Sequence, residues 1–122
     1  MKTYKDLVTD AKTRVREVTV EDVMQKRAQG EDLVIVDVRE DGEWKAGHLP
    51  GSLHLSRGVL EGRAHTVLPD PATPVVLYCG GGSRSALAAD VLQVMGYTNV
   101  ASLAGGWGAW LAAGGESEKG EG

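Results

Sequence analysis

One cysteine, four prolines, no surplus of positive charge and no long apolar run mark this chain of 122 residues. Each shortage excludes something. A lone cysteine makes no intramolecular disulfide, so nothing implies an oxidising compartment. Nor does it build a thiolate zinc site by itself, and His54 and His65 lack the partner spacing of metal ligands, so no metal or cofactor is expected. Thirteen basic against seventeen acidic side chains give a net charge of −4, which argues against nucleic acid as a partner. No apolar stretch approaches the ~20 residues that span a bilayer. The opening Met1-Lys2-Thr3-Tyr4-Lys5-Asp6 lacks the apolar core of a signal peptide. The expectation is a soluble cytoplasmic protein with no membrane partner.

What is present suffices for one domain with a real core: 42% hydrophobic and 25% charged residues. Residues 3–14 fit a short helix with Tyr4, Leu7, Val8 and Ala11 on one face. Thr19 and Asp22 have the spacing of a capping box, opening a helix that Gly30 stops. Leu33–Asp37 is a continuous apolar run, as in a strand buried on both faces. A short helix around Glu40–Lys45, a turn at Pro50-Gly51 and a brief strand over Ser52–Leu55 follow, with another short helix at Val59-Leu60. Pro69, Pro71 and Pro74 mark a surface loop before a second buried strand, Val75–Tyr78. A helix then runs to Met95, Val100–Leu103 is a strand, and Trp107–Ala113 a last helix. Strands alternating with helices imply an α/β fold with a largely parallel central sheet of about five strands. The expected organisation is a helical extension over 1–16, a domain over 17–113 and a flexible tail over 114–122, where glycine and charge offer nothing to bury.

Ligands in such sheets sit at the carboxyl ends of the strands. Asp37, Cys79 and Ala104-Gly105-Gly106 each lie just past such an end. The most telling of them is Cys79. It ends the strand Val75–Tyr78 and precedes Gly80-Gly81-Gly82-Ser83-Arg84-Ser85 and a helical run. Glycines let the backbone curl around one sulfur, loop amides and a helix start favour negative charge there, and Arg84 offers guanidinium donors to an anionic substrate. Such surroundings lower a thiol's pKa from about 8.5 and turn it into a nucleophile. A lone cysteine is also commonly a small buried hydrophobe; the attached loop and helix favour chemistry. The triplet of glycines lacks the Lys-Ser/Thr of a Walker loop and the spacing of a dinucleotide fingerprint.

Three segments together resemble the rhodanese family of sulfurtransferases over about residues 17–113. Cys79-Gly80-Gly81-Gly82-Ser83-Arg84-Ser85 is similar to its C-x-x-G-x-R-S active loop. Asp37-Val38-Arg39, Glu43-Trp44 and Gly47-His48-Leu49-Pro50-Gly51-Ser52 resemble its D-V-R…E-aromatic-x-x-G-H-I-P-G-A segment, and Leu103-Ala104-Gly105-Gly106-Trp107 with Trp110 its closing motif. The resemblance implies a rhodanese-like three-layer fold and a thiosulfate sulfurtransferase-like reaction. Cys79 would take a sulfane sulfur from thiosulfate or a persulfide donor, hold it as a persulfide on the amides of residues 80–84, and pass it to a thiol or cyanide. Familiar thiosulfate-using members carry basic residues directly after the cysteine, where this chain has Gly80 and Gly81, so a persulfide donor fits equally well.

Asp37, Arg39 and Arg57 are candidates for supporting roles around the loop. Arg39 and Glu43 are four apart, a spacing suited to an ion pair on a helical turn, and Arg57 follows a strand end. His48, before a Pro-Gly turn, reads as structural, and Trp44, Trp107 and Trp110 as core and pocket rim. Two rival functions remain. Phosphatases and arsenate reductases of this fold use Cys-x5-Arg, one residue longer than the spacing here. A non-enzymatic sulfur carrier or sensing module would deliver the sulfur of Cys79 to one partner protein. The expected partners are a small sulfur donor and a thiol acceptor, with the chain a monomer.

Overall fold

A computed structural model describes residues 1–120. Its centre is a five-stranded, all-parallel sheet in the order β1-β5-β4-β2-β3. The strands are β1 (Arg16–Val18), β2 (Val34–Asp37), β3 (Leu53–His54), β4 (Val75–Tyr78) and β5 (Val100–Leu103). The helices are α1 (Tyr4–Lys12), α2 (Val20–Ala28), α3 (Asp41–Ala46), α4 (Leu60–Val67), α5 (Ser83–Val94) and α6 (Gly106–Ala112), and a 3₁₀ turn spans Arg57–Val59.

Alternation along the strands builds the layers, because successive side chains point to opposite faces. Val36, Val38, Val75 and Leu77 face α4 and α5, packing with Leu60, Ala64, Ala88, Ala89 and Leu92. Ile35, Val76, Tyr78, Ala101 and Leu103 face the other way, onto Val20 and Val23 of α2 and Trp110 of α6. All four residues of β4 are buried, as are those of β5. This is the three-layer α/β architecture that the family resemblance implied.

Local signals place most elements. Thr19 caps α2, its hydroxyl accepting from the Asp22 amide while the Asp22 carboxylate accepts from the Thr19 amide. Thr3 and Asp6 form the same reciprocal pair at the start of α1. Gly30, at φ +71°, stands beyond the end of α2. On α1 only Val8 and Ala11 of the expected apolar face are buried; Tyr4 and Leu7 stay exposed. The boundary drawn after residue 16 falls inside β1, which carries Arg16 into the sheet beside Ala101.

The tail differs from expectation. Residues 114–120 lie against the domain: His48 and Glu118 exchange two backbone hydrogen bonds, the Gly120 amide donates to the Lys45 carbonyl, and the Trp110 indole donates to the Glu116 carbonyl at 2.8 Å. Main-chain pairing holds this segment, so a lack of apolar residues does not free it. Residues 121–122 lie outside the described residues. Among the described residues no helix is long and apolar enough to cross a membrane.

Candidate active site

The chain leaves β2 toward β3 on one side of the sheet and leaves β4 toward β5 on the other. The crevice between the carboxyl ends of β2 and β4 is therefore the switch point where open α/β sheets bind ligands. Cys79 follows β4 at that place, with only 1% of its surface exposed.

Gly82, at φ +105°, occupies the N-cap of α5 and has no side chain to cap it. The Cys79 sulfur takes that role. Sγ accepts from the Gly82 amide at 3.1 Å and from the Ser85 amide at 3.4 Å, and lies 3.4 Å from the Ser85 hydroxyl. Burial pushes the thiol's pKa up. The Ser85 hydroxyl and the amides of Ser85, Gly82 and Gly81 outweigh it, so the net shift is down. The first-turn amides of Ser83 and Arg84 have no acceptor among the described residues, leaving donors beside the sulfur for added negative charge. Such a cradle can stabilise a thiolate, and an anionic sulfur attached to it.

The loop is fixed from below by α6. The Trp107 amide donates to the Cys79 carbonyl at 2.7 Å and the Gly108 amide to the Gly80 carbonyl at 3.1 Å. Loop carbonyls thus cap α6 while the loop's sulfur caps α5, so each helix start holds the other's partner in place.

Ser85 leads to a residue that the sequence reading missed. Its Oγ lies 2.8 Å from the Ser102 Oγ, and both side chains are fully buried. With Cys79 as a thiolate, the Ser85 hydroxyl gives its one proton to the sulfur, so Ser102 donates to the Ser85 oxygen. The available signal was a polar residue within the buried run Val100-Ala101-Ser102-Leu103, which demands a partner. Ser102→Ala is expected to slow alkylation of Cys79 at neutral pH roughly two- to threefold by raising the thiol pKa. Ser85→Ala raises it further. Iodoacetamide rates measured against pH check both.

Among the described residues, three arginine–carboxylate pairs stand at the carboxyl edge. Asp37 and Arg39 are buried together, with Arg39 Nη2 2.8 Å from Asp37 Oδ2 and 2.6 Å from the Gly47 carbonyl. The Arg39 guanidinium carbon stands 4.9 Å from the Trp107 ring centre. Asp37 spends both oxygens on Arg39, so this pair braces the loop's neighbour. The expected Arg39–Glu43 pair does not form. Glu43 reaches instead to Arg84, 2.7 and 3.2 Å across two N–H···O bonds. Those bonds, against an opposing push from burial, hold the Glu43 carboxyl down at about 2. Arg57 pairs with Glu61 at 2.8 Å, one helical turn on, and is engaged there instead of at the Cys79 loop.

His48 is buried, stacked 3.4 Å from the Trp44 ring, with Nδ1 2.8 Å from the Trp44 carbonyl and Nε2 3.3 Å from Glu118. It ties the turn to the tail. His54 stacks on the Trp44 ring at 4.9 Å. Among the described residues no group of three His, Cys, Asp or Glu side chains is placed to hold a metal ion.

Known proteins match this architecture. The profile of the rhodanese-like domain matches residues 19–113. A thiosulfate sulfurtransferase GlpE from Pseudoalteromonas translucida is 38% identical over 84 residues, covering 68% of this chain and 77% of its own. A solved structure from Rhodopseudomonas palustris, described as a protein of unknown function and possible tyrosine phosphatase, superposes with a TM-score of 0.88 at 36% identity over 97% of this chain and 96% of that one. The polysulfide-sulfur transferase homodimer of Wolinella succinogenes gives 0.80 at 30% identity, over 97% and 88%. A parallel sheet with its cysteine at the switch point, and these matches along nearly the whole domain, have one reading: the chain belongs to the rhodanese-like family.

Proposed function

We propose that the protein is a sulfurtransferase in which Cys79 takes a sulfane sulfur from a donor, carries it as a persulfide and gives it to a thiol or to cyanide. One observation carries this reading. The Cys79 sulfur replaces the side-chain cap of α5, accepting from the Gly82 and Ser85 amides at a helix start whose Ser83 and Arg84 amides have no acceptor among the described residues. A second sulfur adds charge at the same helix start, where an oxyanion-hole-like cradle of amides favours it.

The chemistry needs no general base. The thiolate attacks the outer sulfur of the donor, a new S–S bond forms, and the donor's S–S bond breaks with its electron pair leaving on sulfite or on a thiolate. An acceptor thiolate or cyanide then attacks the outer sulfur of the persulfide and returns Cys79 to its thiolate. No water is activated, which suits a sulfur buried under its own loop. An acceptor of any size, from a small thiol to a partner protein's cysteine, leaves this step unaltered.

A phosphatase reading fits less well. Only residues 80–83 separate Cys79 from Arg84, and the Arg84 guanidinium is engaged by Glu43 instead of aimed at a tetrahedral oxyanion. Intact mass decides between them. Incubation with thiosulfate or a small persulfide is expected to add one sulfur atom to the wild-type protein, and cyanide to remove it. No gain from either donor in folded, reduced protein, with aryl phosphate turnover that Cys79→Ser abolishes, would put the phosphatase in its place.

A further inference from the structure

The first arginine after each of β2, β3 and β4 is already matched by a carboxylate: Arg39 by Asp37, Arg57 by Glu61, Arg84 by Glu43. These pairs sum to no charge, so none of the three arginines is left over to offset the Cys79 thiolate. Arg84 is the cation that matters for a donor. One of its terminal nitrogens stands 3.2 Å from where a Cβ on Gly80 would lie, beside the backbone that wraps the sulfur. Nothing after Cys79 adds charge, because Gly80 and Gly81 carry no side chain.

We propose that Glu43 sets the donor class: by matching the charge of Arg84 it disfavours dianions and reserves the Cys79 loop for persulfides of thiols. This rests on the sulfur-transfer reading above. Thiosulfate brings two negative charges toward a thiolate and leaves as sulfite, still with two. A thiol persulfide brings one at most on its reacting sulfurs. The balanced step is Cys79–S⁻ with R–S–SH giving Cys79–S–SH and R–S⁻, the electron pair of the broken S–S bond leaving on the thiolate. Coulomb repulsion scales with the product of charges, so an unneutralised site penalises the dianion about twice as heavily as a monoanion. The bidentate geometry keeps the guanidinium turned to Glu43, and the depressed carboxyl keeps Glu43 ionised at any pH suited to assay. Glu43 acts through Arg84 and is a positioning residue.

The test is the ratio of kcat/KM for thiosulfate to kcat/KM for cysteine persulfide, read from single-turnover sulfur loading. Glu43→Gln keeps an oxygen for the Glu40 amide that caps α3 and removes the charge. It is expected to raise the ratio about tenfold at low ionic strength, chiefly through the thiosulfate KM, with the gain fading as salt is added. A merely structural Glu43 would lower both rates together and show no salt dependence. Gly81→Lys adds a cation beside the loop with Glu43 in place, since a Cβ at Gly81 meets nothing within 4 Å; an unchanged ratio there shows that charge at the loop does not select the donor, and overturns the proposal even if the glutamine variant does not fold. A ratio unchanged within about twofold in the folded variants overturns the assignment of Glu43. Failure of both donors to load the wild type overturns the sulfur-transfer reading instead.

Discussion

Replacing Cys79 with serine is expected to abolish sulfur loading, a loss of at least ~10⁴-fold, while the protein stays folded. The sulfur does two things that serine separates. As nucleophile it must be an anion near neutral pH and form an S–S bond that a second thiol can reopen; a serine hydroxyl is protonated there and forms no such bond. As the cap of α5 it accepts from the Gly82 and Ser85 amides, which a hydroxyl oxygen can also do. Alanine removes both functions and leaves two buried amides unpaired, at about 1–3 kcal/mol for each. Serine is therefore the discriminating substitution, and alanine mixes chemistry with folding. Thermal melts beside mass-detected loading separate the two, and transfer retained by a folded serine variant would rule out Cys79 as the nucleophile.

Legibility in the sequence followed how locally each feature is determined. The unit β4–Cys79–α5 was readable because an apolar run, three glycines and a helical stretch follow one another without interruption. Strand β1 was not: Arg16-Glu17-Val18 is short, sits at the sheet's edge and is largely exposed, so it carries neither an apolar run nor clean alternation. Its parallel partner β5 is more than eighty residues away, and no local pattern announces such pairing. The Arg39–Glu43 expectation failed for a related reason. The i,i+4 rule applies within a helix, but α3 begins only at Asp41, so Arg39 lies in a bend before it and turns inward to Asp37. Glu43 then finds Arg84, 41 residues on. The pair was invisible in spacing, although both residues lay in motifs that the sequence had already singled out.

Gly106→Ala should be the most damaging of the glycine substitutions. A Cβ at Gly106 would overlap the Cys79 carbonyl oxygen and stand 2.9 Å from the Gly80 carbonyl carbon, and φ there is +54°. The left-handed conformation alone costs an alanine roughly 1–2 kcal/mol, and crowding a packed site roughly 1–3 more. Together they are expected to lower the melting temperature by on the order of 10 °C. Function suffers more than stability. The overlap can be relieved only by moving the 79–80 backbone away from α6, which breaks the bonds from the Trp107 and Gly108 amides and turns the loop amides off the sulfur. A displacement of about 1 Å at such a site costs on the order of 10²-fold in rate, so loading should fall by at least that much in protein that is still folded at 25 °C. Gly62→Ala is the matched control. Gly62 lies exposed in α4 with nothing within 4 Å of an added Cβ, and alanine in a helix is favoured over glycine by up to about 1 kcal/mol. Its melting temperature should rise and its loading rate stay unchanged. If Gly106→Ala instead behaves like Gly62→Ala, the start of α6 does not hold the active loop, and the loop's shape must come from β4 and α5 alone.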